Sequence, residues 1–251
     1  MTVSSCAHFT SMPRSLRLLY SATLVVLGVG YIFATIYVFA SHAGHDGKPG
    51  LSVQDLIIAY SGSKKDTRLE SALKGPMAGM LPTEEKNEIL AWVRRGASED
   101  EFRQSIAPII ERRCLGCHNG TNPHIPNLST YDRVMEMVDL DTGMDIFTLV
   151  RVSHIHLFGI TFIFFISGYI FCHARVRPAW FKCLVIAVPF LSILCDIASW
   201  YLTKVYPAFA WVVMISGVVM ALCFAIQWLV SVYQMWFYRL PEGESGNDVV
   251  T

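Results

Sequence analysis

Residues 18–40 read LLYSATLVVLGVGYIFATIYVFA, twenty-three positions without a charge. A helix needs about 20 apolar residues to cross the hydrocarbon core of a bilayer, so this run is long enough to be a span. Working outward, the pattern recurs. Leu157 to Cys172 carries no charge, Cys183 to Leu202 carries one, Asp196, and Val205 to Tyr238 carries none. The runs predict four transmembrane helices. The second is expected to be the shortest, with the polar stretch Ser153-His154-Ile155-His156 at its mouth. The fourth exceeds one span, so it is expected to tilt or to continue along the surface. It ends in Trp228, Tyr233, Trp236, Phe237 and Tyr238, an interfacial aromatic belt by composition. The bulk numbers agree: 53% of the 251 residues are hydrophobic and 16% charged, which suits a membrane protein. Net charge is zero and there is no basic run, so charge gives no reason to expect a nucleic-acid partner.

Arg14 and Arg17 precede the first run, which ends in FASHAG (39–44), so a cleaved signal is a rival reading. Signal-peptide cores run about 7–15 residues, and this one is longer, so a retained anchor is expected. Loop charges set the orientation. Arg14, Arg17, Arg175, Arg177, Lys182 and Arg239 flank one side, and the short loop between spans three and four holds only Lys204. Both termini are therefore expected in the cytoplasm, and 41–153 in the periplasm of a bacterial cytoplasmic (inner) membrane. The expected division is 1–40 as tail and first span, 41–153 as a periplasmic helical domain, 154–238 as a three-helix membrane bundle and 239–251 as a tail.

The insert holds 13 Lys+Arg against 16 Asp+Glu, a mixture that suits a small folded unit. Gly-rich 41–51 reads as a linker. Short helices are expected over Ser52–Tyr60 and Arg68–Lys74. Thr83 is the expected N-cap of the next helix, which stops at Gly96. Ser98 and Glu101 have the spacing of a capping box, ahead of a helix with Phe102, Ile106, Ile109 and Ile110 on one face. A last helix is expected over Tyr131–Val138, capped by Ser129 or Thr130. The fold class is all-α.

Of seven cysteines, Cys6 is assigned to the tail, and Cys172, Cys183, Cys195 and Cys223 lie in or beside spans. Cys114 and Cys117 are alone in the insert, within ERRCLGCHNG (111–120). C-x-x-C-H is the attachment pattern of a covalent c-type haem: two thiols meet the two vinyl groups, and the adjacent His118 reaches the iron. Zinc needs a second ligand pair that the insert does not offer. A thioredoxin-like dithiol needs a βαβ context, which is absent. Both remain weaker readings.

The longer stretch IAPIIERRCLGCHNGTNPHIPNLSTYDRVM (106–135) resembles membrane-anchored monohaem c-type cytochromes, in particular their planctomycete-type cytochrome c domains, over about residues 100–140. The resemblance implies one covalent haem c on Cys114 and Cys117 with His118 as axial iron ligand. Pro108, Leu128, Ser129, Thr130 and Tyr131 carry over as scaffold. It says nothing about the spans.

For the sixth iron ligand the candidates are His154 or His156, then Met144. Met135 and Met137 read as helix packing, and His124 stands a short path from His118. Two ionisable residues at a span's mouth are costly unless used. At i and i+2 they face different directions, so one of them at most would serve a given iron. His42, His45, His154 and His156 form a weaker candidate for a second metal site. His173 is at the far end of its span, about 25 Å from His156 at 1.5 Å per residue, so a bis-His haem inside the bilayer is not expected. Asp196, about two turns inside span three, is expected to be protonated or paired with His156, Tyr201 or a neighbouring subunit. It is a candidate proton or quinone contact, or else a buried tie between spans. Pro189 is expected to kink the same helix.

These readings converge on a membrane-bound carrier of single electrons at the periplasmic face. Its expected partners are the subunits of a membrane respiratory complex and a periplasmic redox protein. The main alternative is a haem-based sensor or assembly factor that signals through its spans. Nothing resembles a nucleophile–base pair or a phosphate loop, so an electron-transfer protein is favoured over a stand-alone enzyme.

Overall fold

The computed structural model describes residues 7–123 and 125–239, and among these the fold is all-helical with no strand. One isolated antiparallel bridge joins Thr67 and Leu140. Cys6, His124 and the tail from 240 onward fall outside the described residues. The chain divides into two compact units. A membrane unit gathers 7–37, 146–202 and 208–239 of the described residues, and an inserted unit gathers 38–145 together with 203–207.

Four helices are long and apolar enough to span a bilayer: α1 (Arg14–His42), α8 (Ile146–Cys172), α9 (Ala179–Thr203) and α10 (Ala210–Trp236), the last extended by a 3-10 turn at Pro207–Phe209. The second is not the shortest, because α8 has 27 residues and α9 has 25. The apolar run begins at Leu157, but the helix starts eleven residues earlier. The polar residues between keep their main-chain bonds inside the helix, so polarity does not end it. His154 and His156 therefore sit in the third turn of α8 and not at its start. α9 runs unbroken through Pro189.

Inside the membrane unit the ties are polar. Ser167 Oγ donates to Gln227 Oε1 at 2.6 Å, and Gln227 Nε2 donates to the Val185 carbonyl at 2.9 Å, joining α8, α10 and α9. In lipid there is no water to satisfy such groups, so each holds the other in place. α1 is the least buried of the four. Trp228 Nε1 fixes it by donating to the Leu24 carbonyl at 2.7 Å. A Cβ at Gly28 would stand 3.0 Å from that indole nitrogen, so the absent side chain makes the approach possible.

The inserted unit contains α2 (Val53–Ser61), α3 (Arg68–Lys74), α4 (Thr83–Arg94), then α5 (Glu99–Glu101), which continues through a π-helical turn (Phe102–Ile106) into α6 (Ala107–Arg113), and finally α7 (Tyr131–Met135). Ser52 and Thr67 each close a capping box, with Asp55 and Glu70. The cap of α4 is Pro82, not Thr83, which is its first helical residue. Proline pre-sets the backbone angle and offers no side-chain bond. No box forms at Ser98, whose side chain makes no cap bond. Glu101 pairs instead with Arg95. α7 stops at Met135, three residues short of the expected Val138, because Met137 N–H and Val138 N–H turn back to Val134 and Met135 in tighter turns.

Phe102, Ile106, Ile109 and Ile110 are all buried in a core with Leu73, Ile89, Trp92 and Val134. Trp92 is fully buried and its Nε1 donates to the Ser98 carbonyl at 3.0 Å. Tyr131 OH donates to the Ala97 carbonyl at 2.9 Å, tying α7 to the α4–α5 turn.

Candidate functional site

α6 delivers the cysteine motif. Its last turn passes straight into it: Cys114 N–H bonds to the Ile110 carbonyl at 2.8 Å, and Cys117 and His118 N–H both return to the Cys114 carbonyl, at 3.1 and 2.8 Å. The motif is thus a tight turn that follows a helix end. That end is fastened to the start of α4, because Arg112 and Arg113 both donate to Glu85. The Arg113 bond holds the Glu85 carboxyl below its ordinary range. Cys114 is half-buried against the core and Cys117 is exposed.

His118 is held on one side. Its Nδ1 lies 2.8 Å from the Pro126 carbonyl. A carbonyl only accepts, so Nδ1 carries the ring hydrogen and Nε2 keeps a lone pair. Metal-ligating histidines usually have this arrangement, with the second nitrogen oriented by a carbonyl. The loop that brings Pro126 back is closely specified. Leu128 N–H donates to the His118 carbonyl at 2.9 Å. Gly120 has φ +82°, and a Cβ there would stand 2.7 Å from Asn127 Nδ2, so the turn requires glycine. Beside this loop lies an open cleft of about 480 Å³, lined by Gly120, Asn122, Ile125, Pro126, Asn127 and Arg133 among others.

The donor set fits a covalent haem: two thiols and an imidazole with its outer nitrogen available, all on one short turn. It fits the rival readings less well. Burial pushes the Cys114 thiol up, and the Glu85 carboxylate adds to this, whereas reactive dithiols sit where the thiolate is favoured. Among the described residues no group of three or more His, Cys, Asp or Glu side chains is placed to hold a metal ion by itself.

The sixth-ligand candidates are dispersed. His154 and His156 belong to the membrane unit, where His154 is exposed and His156 half-buried. His156 Nδ1 donates to the Val152 carbonyl at 2.9 Å and its ring meets Trp200 edge-on at 5.2 Å. Met144 belongs to the inserted unit, in a fastened segment. Met144 N–H donates to the Ala59 carbonyl at 2.9 Å, and Asp141 is buried. Met135 and Met137 pack on the core that Cys114 also touches. The His42 and His45 rings stand 6.5 Å apart, each bonded to a carbonyl four residues back.

Asp196 is buried at 7% exposure, with Trp200, one turn along α9, as its polar neighbour. Tyr201, an expected partner, is engaged elsewhere: its hydroxyl lies 3.0 Å from Ser153 Oγ.

Lys204 was legible in the sequence only as a loop charge. Its Nζ donates to three carbonyls, Tyr60, Thr142 and Met144, at 2.8, 3.0 and 2.7 Å. Three donated hydrogens require the ammonium form. Burial pulls its pKa down, and Asp145 and Asp141 oppose that shift. The carbonyls converge because Gly62 and Gly143 cross closely; a Cβ on Gly143 would stand 2.5 Å from the Tyr60 carbonyl.

A family profile described as a transmembrane helical domain, Aq_1264_TM, matches residues 142–242. That stretch contains α8, α9 and α10, and it leaves the cysteine motif outside. No curated protein matches the chain, and no solved structure does. With four spanning helices and this match, the chain is a multi-pass integral membrane protein.

Proposed function

We propose that the chain is a membrane-bound c-type cytochrome that carries single electrons at the periplasmic face, as a subunit of a respiratory complex or its docking partner. The observation that carries this reading is the His118 ring, whose Nδ1 is bound to the Pro126 carbonyl and whose Nε2 is left for iron, on the turn that bears Cys114 and Cys117. In this reading the two cysteines hold one haem c by thioether bonds and His118 supplies an axial ligand. The bound haem would take up and release one electron. The chain's own contribution is to fix the donor turn through the Arg112 and Arg113 bonds to Glu85 and to hold the imidazole in one tautomer through Pro126.

His154, His156 and Met144 stand as sixth-ligand candidates, and Asp196 as a candidate proton or quinone contact in the membrane unit. The loop charges favour cytoplasmic termini and a periplasmic insert.

The decisive experiment is the intact mass of the full chain, made with a cytochrome c maturation system, alongside its reduced haem spectrum. A mass one haem above the full sequence, lost when Cys114 and Cys117 are both changed to Ala, is expected. Haem with loss of about the first 43 residues, at the FASHAG site, would keep the cytochrome and remove the first span. No covalent haem would end this reading and return zinc or a dithiol to consideration.

A further inference from the structure

The chain enters α1 through a folded segment. Phe9–Ser11 form a 3-10 turn, capped by the side chain of His8. Thr10 N–H donates to His8 Nδ1 at 3.2 Å. The neutral ring therefore carries its hydrogen on Nε2, which donates to Gln234 Oε1 at 3.1 Å. The same oxygen accepts Arg175 N–H at 2.7 Å, and Gln234 Nε2 donates to the Arg175 carbonyl at 2.8 Å. On the other flank, His173 Nδ1 donates to the Ala7 carbonyl at 2.9 Å. Phe9 is fully buried, its ring 5.8 Å from that of His8 and 6.0 Å from that of His173. With Met12 it completes a core of Tyr20, Leu24, Phe171 and Met235. All of this lies within the membrane unit.

The cap as it stands uses a neutral His8. A proton added at Nδ1 would end the bond from Thr10 N–H, leaving Thr10 Oγ1, 3.0 Å from the same nitrogen, as the acceptor at hand. It would also bring a charge into a fully buried position. The charged groups that face His8 are Arg175 and Lys182, with His173 also near. The Tyr238 ring stands 5.7 Å away. Lys182 also faces His173, while its Nζ donates to the Cys172 and Ala174 carbonyls. Around His173 stand Tyr20, stacked at 5.8 Å, and Tyr169, edge-on at 5.5 Å. Among the described residues no carboxylate contributes at either ring.

We propose that residues 7–12 form a pH-released plug, seated in the membrane unit by neutral His8 and His173 and unseated when they take up protons. Supporting this, burial lowers the pKa of both, against the opposing bonds to Gln234 and Ala7, and the nearby cations lower them further. The sign follows. The unseated segment binds protons more readily than the seated one, so seating is complete above the ordinary histidine value of about 6.5 and weakens as pH falls below it. Each histidine multiplies the unseated fraction by about ten for each pH unit below that value, until its seated-state pKa is reached. The inference does not rest on the haem reading.

The test is hydrogen–deuterium exchange of the full chain in nanodiscs at pH 7.5 and 5.5, with labelling times scaled for the intrinsic pH dependence of amide exchange. The peptide spanning 7–13 is expected to exchange faster at pH 5.5, by up to about tenfold for each histidine, while α10 peptides keep their protection. Equal scaled exchange at both values would overturn the proposal. A fixed charge gives a second arm. His8→Lys at pH 7.5 is expected to expose the same peptide with α10 still protected, and a variant as protected as the wild type there would count equally against it.

Discussion

The two units use their polar groups differently. In the inserted unit the interior is apolar, built on Trp92, Ile89, Ile106 and Val134. Its side-chain ties lie beside that core, as ion pairs and as capping boxes whose carboxylates, Asp55 and Glu70, are themselves buried. The membrane unit is built otherwise. Its outward faces are apolar, with Phe158, Phe162 and Leu194 exposed, and its ties run inside, through Ser167–Gln227, Ser153–Tyr201 and His8–Gln234. Water explains the difference. An exposed ion pair such as Arg103–Glu99 competes with solvent and stabilises little, whereas in lipid a polar group has no alternative partner.

Point variants would break or sharpen that contrast. The largest effect belongs to the apolar interior: Trp92→Ala is expected to cost about 3–5 kcal/mol in chemical denaturation of the inserted unit. Gly143→Ala is expected to cost about 1–3 kcal/mol, because φ is +70° and the new Cβ meets the Tyr60 carbonyl. It should also release Lys204, readable as faster amine labelling. Gln227→Leu is expected to cost about 1–2 kcal/mol in bilayer unfolding, as Ser167 and the Val185 carbonyl lose their partner. An unchanged stability there would mean that polar ties inside the membrane unit are worth no more than exposed ion pairs. In the inserted unit, Thr67→Ala is expected to cost about 1 kcal/mol, as the α3 capping box is lost. Ser98→Ala, with no cap bond to lose, should stay within about 0.5 kcal/mol. Last comes the Asp55 box. Burial raises that carboxyl, but the N–H bonds of Asp46 and Ser52 outweigh it and leave its pKa lowered. Its stabilising effect is thus present above the ordinary value of about 3.9 and lost as pH falls from there through the lowered folded value. Asp55→Asn should flatten that acid limb.

The spans were legible because lipid demands a composition that any window of the sequence displays. The start of α8 was not, since Arg151, His154 and His156 interrupt the apolar run without interrupting the helix. Ser98 and Glu101 had the right spacing for a box, but spacing does not register Arg95, which takes the carboxylate. Conversely, the boxes at Ser52 and Thr67 form where the reading had only short helices. At the candidate site, the pentapeptide was legible as a donor set. The Pro126 carbonyl that orients His118 was not, because the loop between them must close before the two meet. Lys204 and His8 show the limit of local patterns. One finds its carbonyls at Tyr60 and the other its amide at Gln234, separations that only a folded chain brings together.

The Lys204 contact also has a bearing on the order of assembly. Residues 38–145 leave the ribosome well before 203–207, yet these five late residues belong to the same unit. Until they arrive, the carbonyls of Tyr60, Thr142 and Met144 converge with no cation to bind. The inserted unit therefore gains this tie only late in synthesis. Its final closure waits on synthesis of the third span, and a nascent chain arrested before Thr203 should hold the segment around Gly143 open to proteases.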